Sequence, residues 1–490
     1  MAAAVLAMVA AACAGSDPGE QAAGGGTGAP VTTVQESVDD GSLDASETSE
    51  PADVVESTEQ GRCTAPAVGG SPITVRMWEI IGGDEGQNAF DELVAEFNAS
   101  QTAVELVTES VGGANDLLLT LSQTPADEWP DLVVATPQAM KRLVDSGRVV
   151  RPDECPGGEM AVDGLLPVVR ATYEVGGVLQ AVPFGVSTSV LWFDAVEMRA
   201  AGLDPAAPPI TLEELAAASR QIVDSGVSPH GLVVYDWMTA YLLTNGALQR
   251  GEVFALPDNG RSGGPVSVDL DTPANRETLT WLRDVVEVNG GVSIGPTPSG
   301  VEDLTRIADP LEGATMTVHT SAALGDVIAL LEAGSFPGVE LGVGPLPGPG
   351  RGAVLGGNGF FLIDLGDPAR VGAAFDVVTW FTESANIARF DAATGYIPPS
   401  FRVAAEPALV AAWAKYPEMR VAWDQVLALP GTDATAGALF GPSAEVERLF
   451  FALTTDVVDK GVPADEALQR LTDDINALLA QYDAVIGSSG

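Results

Sequence analysis

From Ser71 onward the chain alternates two periodicities, and that alternation narrows the folds open to it more than any other feature. "ITVRMW" sets Ile73, Val75 and Met77 at every second position, the spacing of a strand with one buried face. "NAFDELVAEFNAS" then sets Phe90, Leu93, Val94 and Phe97 at i, i+3, i+4 and i+7, one face of a helix. "DLVVAT" (131–136) is a short continuous apolar run, as expected of a strand covered on both faces. "TLEELAAASRQIVDSG" opens on a capping box, Thr211 with Glu214, has Ile210 and Leu215 at staple spacing, and ends at Gly226. Strand-like and helix-like segments in turn predict an α/β fold with largely parallel sheets. There is no tandem repeat.

Residues 14–62 differ from this. They carry eleven acidic residues against Arg62 alone and have almost no large apolar side chains. Such a segment cannot bury enough apolar surface to offset its ordering entropy, so it is expected to be a disordered tether. As a flexible coil it would reach about 40 Å. The whole chain has 490 residues, which suggests two to four domains, and its net charge is −45. A surface of that sign repels nucleic acid and anionic lipid headgroups, so neither is an expected partner.

Three cysteines occur, at 13, 63 and 155. Cys13 lies between the apolar run "MAAAVLAMVAAA" and the polar "AGSDPGE", the setting of a signal peptide that ends at a lipid-bearing cysteine. On that reading residues 1–13 are the signal peptide with its lipidation cysteine, and 14–62 are the leash. Ala10 stands where a leucine is usual, and no Lys or Arg precedes the apolar run, which points to a start upstream of Met1. Cys63 and Cys155 are then left either as one disulfide in an oxidising compartment or as two separate thiols. After residue 13 no apolar run is long enough to cross a bilayer.

Catalytic material is sparse. Two histidines, His230 and His319, leave little for zinc sites or histidine triads. H-E-x-x-H and G-x-x-x-x-G-K-[ST] are absent, and Asp269 and Asp271 in "VDLDTPA" do not continue into a calcium loop. No cofactor or metal is expected. Carboxylates are abundant enough that a secreted glycosidase working through two of them stays open.

Five stretches carry a resemblance, in order along the chain: "ITVRMWEIIGGDEGQNAFDELVAEFNAS", "AVPFGVSTSVLWFDAVEMRAAGLDPAAPPITLEELAAASRQI", "EGATMTVHTSAAL", "GGNGFFLI" and "ATGYIPPS". Together they resemble the extracellular solute-binding proteins of ABC importers, family 1, in its carbohydrate branch of maltose-type and glycerol-3-phosphate-type receptors. The resemblance spans about residues 71–485. It implies a two-lobed periplasmic-binding-protein-like fold of type II, whose hinge is crossed more than once and whose lobes close over a solute. The crossings are expected near Val186–Val190, Gly352–Gly359 and Thr394–Pro398. Lobe one is expected to be 64–188 with 356–396, and lobe two 189–355 with 397–485.

A sugar offers apolar C–H faces and a rim of hydroxyls, so aromatic faces with carboxylates, amides and backbone groups suit it. The expected ligand contacts are Trp78, Glu79, Asn115, Asp116, Phe184, Ser187, Tyr235, Asp236, Trp237, Ser321, Gly356, Gly357 and Tyr396. Of these, Trp78, Trp237 and Tyr396 would stack, and Glu79, Asn115, Asp116 and Asp236 would accept hydroxyl hydrogen bonds. Phe184 and Trp192 compete for a core role, Trp281, Trp380, Trp413 and Trp423 read as packing residues, and His319 as a core histidine. A phosphate-bearing solute such as glycerol-3-phosphate or a glycerophosphodiester would need a basic clamp. Arg448 is the nearest candidate, one position out of the register of that branch. The implied protein is a monomeric, lipid-anchored receptor on the extracellular face of the membrane. It would bind a sugar, oligosaccharide or polyol and pass it to ABC permease subunits.

Overall fold

The computed structural model describes residues 61–66, 71–235, 237–294, 307 and 313–489. Cys13 and the expected signal peptide lie outside the described residues, as does the tether up to residue 60 and Asp236.

Among the described residues there are twelve strands: β1 Ile73–Glu79, β2 Val104–Ser110, β3 Leu132–Ala135, β4 Val149–Val150, β5 Glu174–Val175, β6 Val178–Leu179, β7 Val182–Asp194, β8 His230–Tyr235, β9 Gly291–Ile294, β10 Ala314–Thr320, β11 Leu341–Pro345 and β12 Leu355–Ile363. Ten of them join in the order β2-β1-β3-β12-β7-β10-β8-β9, with β4 beside β12 and β11 beside β7. β7 is the shared member. Its residues 182–188 pair with β12, and residues 189–194 pair with β10 and β11. One strand therefore belongs to two sheets and hands the chain from the first to the second around Val186–Val190. The sheets are mixed rather than largely parallel. β1, β2 and β3 run together, as do β8, β9 and β10, but β12 is antiparallel to β3 and to β7, and β10 and β11 are antiparallel to β7. Strands that return across the junction enter from the opposite side, and that reversal is invisible to periodicity.

The strand pattern sorts side chains to two faces. On β12, Phe360 joins an apolar cluster with Phe90, Phe184 and Phe381, while Phe361 joins another with Leu117, Trp129 and Val133. A third cluster covers the second sheet, through Leu191, Phe193, Leu232, Val234, Leu279 and Phe450. Each buried aromatic or branched side chain there stabilises the fold by roughly 1.5–3 kcal/mol.

The local signals of the helices are realised. Thr211 Oγ1 accepts from Glu214 N at 3.1 Å, Glu214 Oε2 accepts from Thr211 N at 3.3 Å, and Gly226 closes Leu212–Ser225 at φ 73°. Leu215 is buried, whereas its staple partner Ile210 is 44% exposed.

Cys63 and Cys155 form a disulfide across 92 positions of sequence. Arg62, expected to end the tether, belongs to the fold. Its guanidinium donates to Asp364 Oδ2 at 3.0 Å and to the carbonyls of Val149 and Gly147. A disulfide one residue later, together with Thr64 N donating to Pro368 O, leaves this stretch no freedom.

Candidate functional site

The strand directions define a crevice. β1 and β3 end at Glu79 and Ala135, and Gly359 of β12 lies opposite Ala135, so residues 355–358 extend beyond the carboxyl ends of the first sheet. β10 runs toward Thr320, which lies opposite Ser189 of β7, and β8 runs parallel to it toward Tyr235. The carboxyl edges of both sheets therefore face one another across the middle of β7. Open α/β sheets bind ligands outside such edges, where strand order changes.

The second sheet supplies an aromatic wall. Tyr235, an expected ligand contact, is instead fully buried and backs Trp237 in a stack, with ring centroids 5.7 Å apart and planes 10° apart. Trp237 is half-buried and meets Tyr241 edge-on at 5.1 Å and His319 at 6.1 Å. His319 in turn stacks on Trp192 at 4.4 Å, which makes both of them packing residues behind the wall. Tyr241 is 37% exposed. Burial around its hydroxyl, with the Glu447 carboxylate adding to it, pushes that hydroxyl up to about 12. Sequence reasoning missed Tyr241, although it follows Trp237 by one helical turn.

The junction forms the floor. Ser321 Oγ accepts from Thr188 N at 3.3 Å, and Ser187 lies opposite Gly356 in the β7–β12 pair. Tyr396 stacks on Phe390 at 5.3 Å, and its hydroxyl accepts from Asn358 Nδ2 at 3.0 Å. Burial pushes the Tyr396 hydroxyl up to about 12, partly relieved by Asn358. Gly357 has φ 95°, and a Cβ there would stand 1.9 Å from the Gly185 carbonyl. What Gly357 admits closely is the neighbouring strand, not a solute.

The first sheet corrects three expectations. Trp78 is 6% exposed, packs in a cluster with Ile80, Leu117 and Leu118, and donates Nε1–H to Glu109 Oε2 at 3.1 Å. Phe184 is fully buried, 4.7 Å from Phe390 and 5.1 Å from Phe360. Neither ring is presented to the crevice, because both alternate toward covered faces of their sheet. Asp116 is exposed, but its Oδ2 accepts from Gly113 N at 2.9 Å and so caps the helix Ala114–Gln123. Asn115 beside it is exposed. Glu79 is buried, and its Oε2 accepts from Ile81 N at 2.5 Å, which shapes the turn after β1. Burial holds its carboxyl above the usual carboxylate range, with hydrogen bonds from Ile81, Ser110 and Gln87 opposing.

Three hydroxyls that sequence reasoning did not single out are buried without a hydrogen-bond partner among the described residues: Thr136 Oγ1, just past β3, the Tyr173 hydroxyl, and Ser443 Oγ, which begins the helix Ser443–Thr454. Thr136 occupies the same strand-end position that drew attention to Trp78. Two surface cavities lie elsewhere. One, of about 490 Å³, is lined by Phe401, Trp413 and Trp423, and the other, of about 510 Å³, by Asp153, Glu159 and Arg170. Among the described residues no group of three or more His, Cys, Asp or Glu side chains is placed to hold a metal ion.

A crevice between two mixed α/β sheets that share a crossing strand is the architecture of the two-lobed solute receptors, and the chain belongs to the bacterial extracellular solute-binding protein family, whose model matches residues 92–421. Over 325 residues it is 25% identical to the sn-glycerol-3-phosphate-binding periplasmic protein UgpB of Brucella melitensis, across 63% of this chain and 70% of that protein. Among solved structures it is similar to the cyclic alpha-maltosyl-1,6-maltose binding protein from Arthrobacter globiformis, with TM-score 0.62 and 22% identity over 84% of this chain and 99% of that one. It is also similar to UgpB from Mycobacterium tuberculosis in complex with glycerophosphocholine, with TM-score 0.66 and 18% identity over 85% of this chain and 100% of that one. These structural likenesses are likenesses of fold.

Proposed function

We propose that the protein is a lipid-anchored receptor that captures a neutral sugar, oligosaccharide or polyol between its lobes and delivers it to an ABC permease. The observation that carries this reading is the meeting of two strand-end edges across β7, with Trp237 and Tyr241 on one side and hydroxyl and amide groups on the floor. Aromatic faces suit the C–H faces of a sugar, and orphaned hydroxyls suit its rim. The lobes are 64–188 with 356–396, and 189–355 with 397–485.

Relatives named for glycerol phosphate make a phosphate-bearing solute the second reading. The disposition of the cations speaks against it. The Arg448 side chain is 68% exposed and lies 3.5 Å from Glu445, and Arg261 is given wholly to backbone carbonyls. The receptor binds without turnover, and Cys13 carries the anchor.

Thermal shift with maltose, maltotriose, ribitol, glycerol-3-phosphate and glycerophosphocholine tests the solute class. Stabilisation by a neutral compound is expected. Stabilisation by the phosphate compounds alone transfers the site to the second reading, and release of product from an oligosaccharide overturns the receptor reading. Incorporation of an alkyne-tagged fatty acid into the full chain but not into the Cys13→Ser variant tests the anchor.

A further inference from the structure

The loop Phe254–Gly263 contains the one arginine side chain in the described residues that is enclosed on every side by main chain. Arg261 is 6% exposed. Its Nη1 donates to the carbonyls of Thr172 at 2.8 Å, Ala171 at 3.2 Å and Glu174 at 3.3 Å. Its Nε and Nη2 donate to Gly437 O at 2.9 and 2.7 Å, and Nη2 also donates to Ala436 O. Ala171 and Thr172 end the helix Pro167–Thr172, and Ala436 ends Asp433–Ala436. Two helix C-termini thus turn their end carbonyls onto one planar fork of donors, which suits a guanidinium and not an ammonium. Among the described residues no carboxylate hydrogen-bonds it. Burial pulls the guanidinium down to about 10, and Asp433, Glu174 and Asp258 nearby oppose that, so the group is charged at neutral pH.

The loop is rooted on one side and lands on the other. Phe254 and Ala255 sit in the apolar core of the second sheet, and Leu256 pairs with Ser267. At the far end Gly176 N donates to Arg261 O at 2.6 Å, and Gly263 lies against Val175. Asn259 adopts φ 58° to make the turn, accepts from the amides of Phe254 and Ala255, and donates to Asp433 O. Asn259 O accepts from Leu439 N, and Leu439 is buried in the same cluster as Trp78 and Leu117 of the first sheet.

We infer that Arg261 is a positioning residue for solute capture: it straps the second lobe to residues 171–176 of the first and holds the crevice closed before solute arrives. This rests on the two-lobe reading given above. Opening about the junction draws residues 171–174 away from the loop and strands buried carbonyls or the buried charge, so the strap sets the closed-to-open ratio. Solute then binds a crevice that is already assembled, which favours retention over rapid exchange.

The test needs no solute. Spin labels are placed at Leu119→Cys in the first lobe and Val288→Cys in the second, both exposed, on a Cys13→Ser background. Pulsed dipolar spectroscopy then reads the lobe separation of the free protein. A single short-distance population is expected with Arg261. Arg261→Lys and Arg261→Met are expected to add a longer one, raising the open-to-closed ratio at least about tenfold. Arg261→Lys keeps the charge and carries the conclusion if Arg261→Met fails to fold. An unchanged distance in a folded Arg261→Lys protein with a lowered urea midpoint makes Arg261 a structural residue and overturns the inference, as does a parent protein that is already open. If instead no solute in the thermal-shift panel binds, the receptor reading fails while the distance measurement still reports on Arg261.

Discussion

At the scale of single residues, burial decides role more than residue type does. Phe184 and Trp237 are both aromatic and both stand near the junction, but one is enclosed by Phe390 and Phe360 and the other is half-buried at a strand end. Phe184→Ala is therefore expected to cost about 3–5 kcal/mol in urea unfolding. Trp237→Ala is expected to cost less stability than that, since the ring is only half-buried, and to weaken the solute found by thermal shift about tenfold or more, read by calorimetry. Asp391 provides a pH test. It is fully buried, neither carboxyl oxygen has a hydrogen-bond partner among the described residues, and burial holds its carboxyl well above the usual range. The fold thus accepts the protonated form. The stability this brings is complete below the unfolded value of about 4 and is lost as pH rises through the raised one. Urea midpoints across pH should fall more steeply for the parent than for Asp391→Asn, and parallel curves would remove Asp391 as the cause.

At the scale of elements, the helix Asp84–Ser100 shows how a local rule is met from a distance. Its N-cap, Gly83, has φ 77° and no side chain. The cap comes from Asp326, whose Oδ1 accepts from Glu85 N at 2.9 Å. A Cβ on Gly83 would lie 2.0 Å from Asp326 Oδ2, so the glycine makes room for a carboxylate 243 positions away along the chain. Burial and the Asp84 carboxylate raise the Asp326 carboxyl above its ordinary range, and the backbone amides of Glu85 and Asp84 oppose the rise. Asp326→Ala should lower stability by about 1 kcal/mol, and Asp326→Asn should recover part of it, both read from urea unfolding at neutral pH. An effect below a few tenths of a kcal/mol would show that the helix start does not need this cap. The capping box of Leu212–Ser225 is the opposite case, since both partners lie within four positions and were readable in advance.

At the scale of the whole molecule, the Cys63–Cys155 disulfide ties the start of the folded chain to the segment after β4. Closing a loop of 92 positions restricts the unfolded chain by roughly 4–5 kcal/mol in the entropy model. Reduction, or replacement of both cysteines by serine, is expected to lower the unfolding free energy by an amount of that order while solute binding persists in what remains folded. Loss of binding without loss of stability would instead place the disulfide in the function. Among the described residues no helix is long and apolar enough to cross a membrane.

The sequence by itself determined the elements and their class. Period two in β1, the continuous apolar run of β3, the Phe90–Leu93–Phe97 helical face and the Thr211 cap are interactions between near neighbours, so they survive in one dimension. The ordered family motifs supplied the two-lobed fold and the region of the crevice, because residues at strand ends keep their place in the chain. Tertiary structure decided what each side chain faces. A strand sends alternate residues to opposite faces, and which face is covered depends on strands and helices distant in sequence. That is why Trp78 and Phe184 turned inward, why Gly357 admits a strand, and why Tyr241 came to lie edge-on to Trp237. It also decided the mixed sheet and the Arg261 strap, since both exist only where segments far apart in the chain, 171–174, 261 and 436–437, are brought within hydrogen-bond distance.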